Sequence, residues 1–170
     1  MLSDSMQKAL NEQINFEFYS AHIYLAMSAY FNSIDLDGFS HWMQVQYKEE
    51  VLHAMKLLDF IHTRNGRARL MAIKEPEFEW DSPLHVFQAT YEHERTVTGL
   101  INDLVAKSIE EKDHATQNFL QWYIAEQVEE EASVKSVMSK LKLAGSSSSG
   151  LLMLDQEMGR RTLSPPADGQ

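Results

Sequence analysis

The stretch RARLMAIKEPEFEWDS, residues 67–82, is the one long connection in a chain that otherwise reads as helix. The helix before it is predicted from about Phe39 to Thr63 and ends at RNGR, where Gly66 is a natural C-terminal cap. The helix after it opens on Ser82 as N-cap and Pro83 in the first turn, and runs to about Glu111. A helix of about 25 residues is about 38 Å long. A linker of about 16 residues extends over about 50 Å. This linker can therefore run back along a whole helix, whereas the joints NSIDLDGFS and EKDHAT only turn the chain. They close a first helix, from Ser3 or Ser5 to about Tyr30, and open a fourth, from about Ala115 to Leu143. No strand pattern of comparable length occurs. The fold class is all-α: two helical hairpins joined by one long crossover, the ferritin-like arrangement of a four-helix bundle.

Beyond the fourth helix, SSSSG reads as a polar joint, LLMLDQEMGRR as a short amphipathic fifth helix, and TLSPPADGQ as a disordered tail. One domain over residues 1–160, followed by a tail at 161–170, is the expected organisation; there is no internal repeat. The 170 residues suffice for a sizeable core. There are no cysteines, which excludes disulfides, thiolate metal sites and catalytic thiols. No apolar run reaches the roughly 18–20 residues of a membrane span. The polar start MLSDSMQKAL does not resemble a secretory signal, which leaves the cytoplasm as the expected location. The formal net charge of −10 repels nucleic acid and anionic membranes and attracts cations.

Each helix carries a polar residue where its apolar stripe should be uniform. The stripes read Leu10, Ile14, Glu17, Ala21, Leu25; Tyr47, Glu50, Ala54, Leu57, Ile61; Phe87, Tyr91, Glu94, Thr98, Ile101; and Leu120, Tyr123, Gln127, Glu130, Val134, Val137. His53 stands one turn beyond Glu50. Each polar residue lies near mid-helix, so in a bundle they meet at similar depth. Four buried carboxylates would repel and raise one another's pKa unless cations join them. Two divalent ions balance the charge of Glu17, Glu50, Glu94 and Glu130. Oxygen ligands with one imidazole and open positions suit iron or manganese. Di-iron carboxylate bundles use a lone Glu on each of two helices and Glu-x-x-His on each of the others. Glu17 and Glu94 fit the lone positions, and Glu50 with His53 fits the motif. The fourth helix departs, with Gln127 and Glu130 at that spacing.

Over residues 1–160 the chain resembles the bacterial non-haem ferritins, in NFEFYSAHIYLAMSAYF, KEEVLHAMKL, YEHE, FLQWYIAEQVEEE and KLKLAG. The resemblance implies an iron-storage ferroxidase, an Fe(II):oxygen oxidoreductase. It would form a hollow homo-oligomer of 24 subunits that takes Fe(II) and O2 and deposits ferric oxyhydroxide inside. It implies that Glu17, Glu50 and His53 hold a first iron, and that Glu50, Glu94 and Glu130 hold a second, with Glu50 bridging. Gln127 would orient oxygen species or water, and Tyr24 matches a tyrosine near the site, with core packing as its rival role. Glu49, Glu126 and Glu129 resemble the ligands of a third iron, with a solvated acidic face as the rival reading.

The remaining histidines, at 22, 41, 62, 85, 93 and 114, lack ligand spacing and read as surface or core residues. The positions where animal ferritins carry acidic residues at a pore are Gln117 and Leu120. The rival functions are a bacterioferritin-like haem-binding iron store and a non-catalytic shell subunit. No haem is expected, because the methionine that ligates haem in bacterioferritins falls at Val51.

Overall fold

A computed structural model describes residues 2–163; the expected tail lies outside the described residues from 164 onward. It contains α1 (Asp4–Ser33), α2 (Asp37–Thr63), α3 (Pro83–Glu110), α4 (His114–Ala144) and α5 (Ser148–Met158). α1 pairs with α2 and α3 with α4, the hairpins meet through α1 and α3, and α5 packs on α2 and α4. The chain between α2 and α3 is extended without strand or helix, as its length predicts. Among the described residues no helix is long and apolar enough to cross a membrane.

The helix starts follow from their caps. Ser3 Oγ accepts from Met6 N, Ser82 Oγ from His85 N, Asp113 Oδ1 from Thr116 N and Ser147 Oγ from Gly150 N. Each satisfies an amide that the helix cannot. Ser147 as cap shows that the expected polar joint is mostly the first turn of α5. At the start of α2, Leu36 offers no side-chain cap. Instead Asp155 of α5 accepts from Phe39 N at 2.9 Å. The Arg64 guanidinium, just past α2, makes a two-pronged contact with Asp113 at 3.0 and 3.2 Å, tying the end of one hairpin to the start of α4.

Two expectations are corrected. The left-handed residue closing α2 is Asn65, at φ 57°, not Gly66. Gly66 N–H donates to Ile61 O at 2.8 Å, and a Cβ there would stand 2.6 Å from Gln7 Oε1. What crowds Gly66 is the close approach of the Gln7 and Ile61 side chains, not its φ. Leu25 is not on the core stripe: it is 46% exposed, and Tyr24 is buried in its place. A period of 3.6 makes the stripe step by three, not four, after Ala21. Tyr47, Tyr91 and Thr98 are only half-buried for a similar reason, at the margin of their stripes.

The core has two apolar parts. One gathers Tyr24, Met27, Phe31, Phe39, Phe87 and Val134 with their neighbours. The other gathers Leu10, Ile14, Leu57, Ile61, Ile101 and Leu120 with theirs. On every helix of the bundle the polar stripe residue falls in sequence between these two parts: Glu17 after Ile14 and before Tyr24, Glu50 between Met43 and Ala54, Glu94 between Phe87 and Val97, Glu130 between Tyr123 and Val134. The bundle thus encloses one polar layer at mid-height.

Candidate metal centre

Glu17, Glu50, Glu94, Glu130, His53 and Gln127 are all buried. Each comes from the middle of a helix whose flanking turns are anchored in the two apolar parts, so the side chains have little choice but to face one another. Ligand atoms of Glu17, Glu50 and His53 lie within 4.8 Å of one another, and so do those of His53, Glu126 and Glu130.

The electrostatics show what such crowding costs without a cation. Burial, reinforced by the Glu50 charge, pushes Glu17 up to about 8. Burial and the Glu130 charge push Glu94 up to about 8. Burial, with the Glu94 and Glu130 charges, raises Glu50 well above the usual carboxylate range. Burial also raises the Tyr24 hydroxyl.

Neutral donors hold one side of most of these carboxylates. Gln13 Nε2 donates to Glu17 Oε1 at 2.8 Å, and Gln46 Nε2 to Glu130 Oε2 at 2.7 Å. The Tyr24 hydroxyl donates to Glu94 Oε1. Gln127 Nε2 reaches Glu94 Oε2 at 3.1 Å, its carbonyl at 3.2 Å and Thr98 Oγ1 at 3.3 Å. The Glu17 and Glu50 Oε2 atoms are buried with no hydrogen-bond partner; His53 Nδ1 is 3.6 Å from the latter. Buried carboxylate oxygens are rarely left so, and here they converge with an imidazole. That donor set fits divalent cations of the iron and manganese kind.

Around this centre stand residues that the sequence did not single out. Gln13 is one turn before Glu17 and could have been read from that spacing. Gln46 serves Glu130 across the bundle and carries no such signal. Tyr123 Oη donates to His53 O at 2.8 Å, and the Trp122 ring meets His53 edge-on at 5.3 Å between centroids.

The expected third-site residues diverge. Glu126 faces His53 and Glu130, Glu129 is exposed, and Glu49 is buried with Oε2 at 2.6 Å from Arg161 Nη2. His93 stacks on Phe16 and shares a 2.8 Å hydrogen bond with Ser20; burial lowers its pKa to about 4, as for a core residue. His22, His62, His85 and His114 are exposed.

A helical bundle with one long crossover and a buried carboxylate–imidazole layer defines a ferritin-like protein. The sequence profile of the Ferritin-like domain matches residues 7–144. A bacterial non-heme ferritin of Bacteroides fragilis is 42% identical over 161 residues, covering 95% of this chain and 100% of its own. One of Escherichia coli is 38% identical over 158 residues, covering 93% and 96%. The solved open-pore ferritin of Archaeoglobus fulgidus is 54% identical with a TM-score of 0.95, covering 95% and 100%. The chain belongs to the ferritin family.

Proposed function

We propose that the chain is an iron-storage protein with ferroxidase activity, working in the cytoplasm as a shell of 24 subunits. Fe(II) is the substrate. One ion is received by Glu17, Glu50 and His53, and a second by Glu50, Glu94 and Glu130. Each Fe(II) gives up one electron to O2, and the Fe(III) hydrolyses to oxyhydroxide deposited inside the shell. The protein's part is to hold both ions at a fixed depth between two apolar walls. Gln13, Gln46 and Tyr24 orient Glu17, Glu130 and Glu94, and Gln127 stands beside Glu94, where it can orient water or an oxygen species. Glu49, Glu126 and Glu129 are the candidates for a third ion.

The observation that carries this reading is the pair of unpartnered oxygens, Glu17 Oε2 and Glu50 Oε2, beside His53. The test is an anaerobic Fe(II) titration followed by O2, with the absorbance of oxo-bridged ferric species recorded. Glu50→Ala and His53→Ala should each slow the oxidation by ~10-fold or more, the lower bound seen when even outer partners of metal ligands are removed. Wild-type rates in both variants would leave only a non-catalytic shell subunit.

A further inference from the structure

Arg161 lies three residues beyond α5, far in sequence from the metal centre, yet its side chain is folded onto α2. The guanidinium lies 4.1 Å over the Trp42 ring. Nη1 donates to Gln46 Oε1 at 2.6 Å and Nη2 to Glu49 Oε2 at 2.6 Å. The Arg161 carbonyl accepts from His41 Nε2 at 2.8 Å. Four residues of α2 thus fix one arginine. The consequence falls on Gln46. A guanidinium has donors and no acceptor, so the Gln46 amide must turn its oxygen toward Arg161. Its NH2 is then aimed the other way, at Glu130 Oε2, 2.7 Å off. An amide turned over would set its carbonyl oxygen against a carboxylate.

We propose that Arg161 is a positioning residue of the metal centre: acting through Gln46, it sets the orientation of Glu130 and so the affinity of the metal position that Glu130 serves. This rests on the reading of the buried layer as a metal site. The ion pair with Glu49 anchors the guanidinium, and the stacking on Trp42 sets its plane. Neither Arg161 nor Gln46 is hydrogen-bonded to Glu17 or His53, although His53 stands within 4.8 Å of Glu130. Loss of Arg161 or Gln46 should therefore weaken one of two metal positions and spare the other. Arg161, just beyond α5, then links the docking of α5 to the metal centre.

Anaerobic titration of the assembled full-length protein with Co(II), which O2 chemistry does not complicate, reads both positions through the ligand-field spectrum. In the wild type two Co(II) should bind per subunit. Arg161→Ala should weaken the second by ~10-fold, the scale of lost outer partners, and leave the first within twofold. Gln46→Leu should do the same, and the double variant should lose no more than either single one, because the two act in series. Equal affinities in Arg161→Ala and wild type would overturn the proposal, as would additive losses in the double variant. Failure of wild type to bind Co(II) would instead overturn the metal-site reading itself.

Discussion

Glu17 and Glu94 hold protons at neutral pH in the cation-free chain, since burial and neighbouring charge lift both from 4.5 to about 8. The folded state then binds more protons than the unfolded one between those values, so stability falls as pH rises from about 4.5 through about 8. A divalent ion reverses this by requiring ionised carboxylates. Adding Co(II) without O2 to lightly buffered protein at pH 6 should release protons, measurable in a pH-stat, and the release should fade above about pH 9. The melting temperature of cation-free protein should drop between pH 6 and 8, and loaded protein should not follow it. A titration at pH 6 with no proton release would mean that these carboxylates are already ionised. The buried carboxylate layer was legible in the sequence because a carboxylate on an apolar stripe has no bland explanation when four helices repeat it. Gln46 and Arg161 were not, since their meeting joins positions 115 apart and follows no helical spacing. Glu49 was singled out through the family resemblance, while the arginine that pairs with it comes from beyond α5.

At the scale of elements, α5 depends on a glycine in α2. A Cβ added at Gly38 would stand 1.7 Å from the Asp155 carbonyl oxygen and 2.6 Å from its carbon, both backbone atoms of α5. A flexible side chain could move aside, but a helix backbone must shift as a whole. The shift would also carry Asp155 Oδ1 away from Phe39 N and uncap α2. Gly38→Ala should therefore destabilise the protein by ~2 kcal/mol, as overpacking does, and hasten amide exchange in α5 before the rest. Gly99 makes the contrast: it is exposed in the middle of α3, and a Cβ there meets nothing within 4 Å. Gly99→Ala should stabilise by ~0.5–1 kcal/mol through helix propensity alone, checked by thermal melting. Unchanged exchange in Gly38→Ala would show that α5 is held elsewhere. The helices were legible from Ser82, Pro83 and the stripes, and the crossover from its length. The start of α5 was not, because a run of serines reads as a joint until one of them is seen to cap. Gly66 was misread because a helix-closing glycine suggests a left-handed turn, while its close approach to Gln7 is tertiary.

The whole molecule leaves apolar surface that one chain does not cover. The crossover exposes Leu70, Met71, Ile73 and Phe78, and α5 buries Leu154 and Met158 against the bundle while Leu152 and Met153 face away from it. An extended segment of this length with no strand or helix of its own gains little from local hydrogen bonding. Its apolar side chains have a stabilising role only if another surface covers them, at ~1.5–3 kcal/mol for each large side chain fully buried. Exposed patches of this kind mark contact surfaces. The crossover and α5 are separate elements, and contacts of more than one kind build a closed particle rather than a pair. On the proposed 24-subunit shell, the protein at micromolar concentration should sediment as one large species, near the mass of 24 chains of 19.5 kDa. Phe78→Glu with Leu70→Glu places charge on the crossover and should give smaller species that keep their helical circular dichroism. Leu152→Glu with Met153→Glu should also yield smaller species, but ones still paired through the crossover. A wild-type protein that sediments as a monomer would sink the shell, and crossover variants that assemble normally would show that this patch is not a contact.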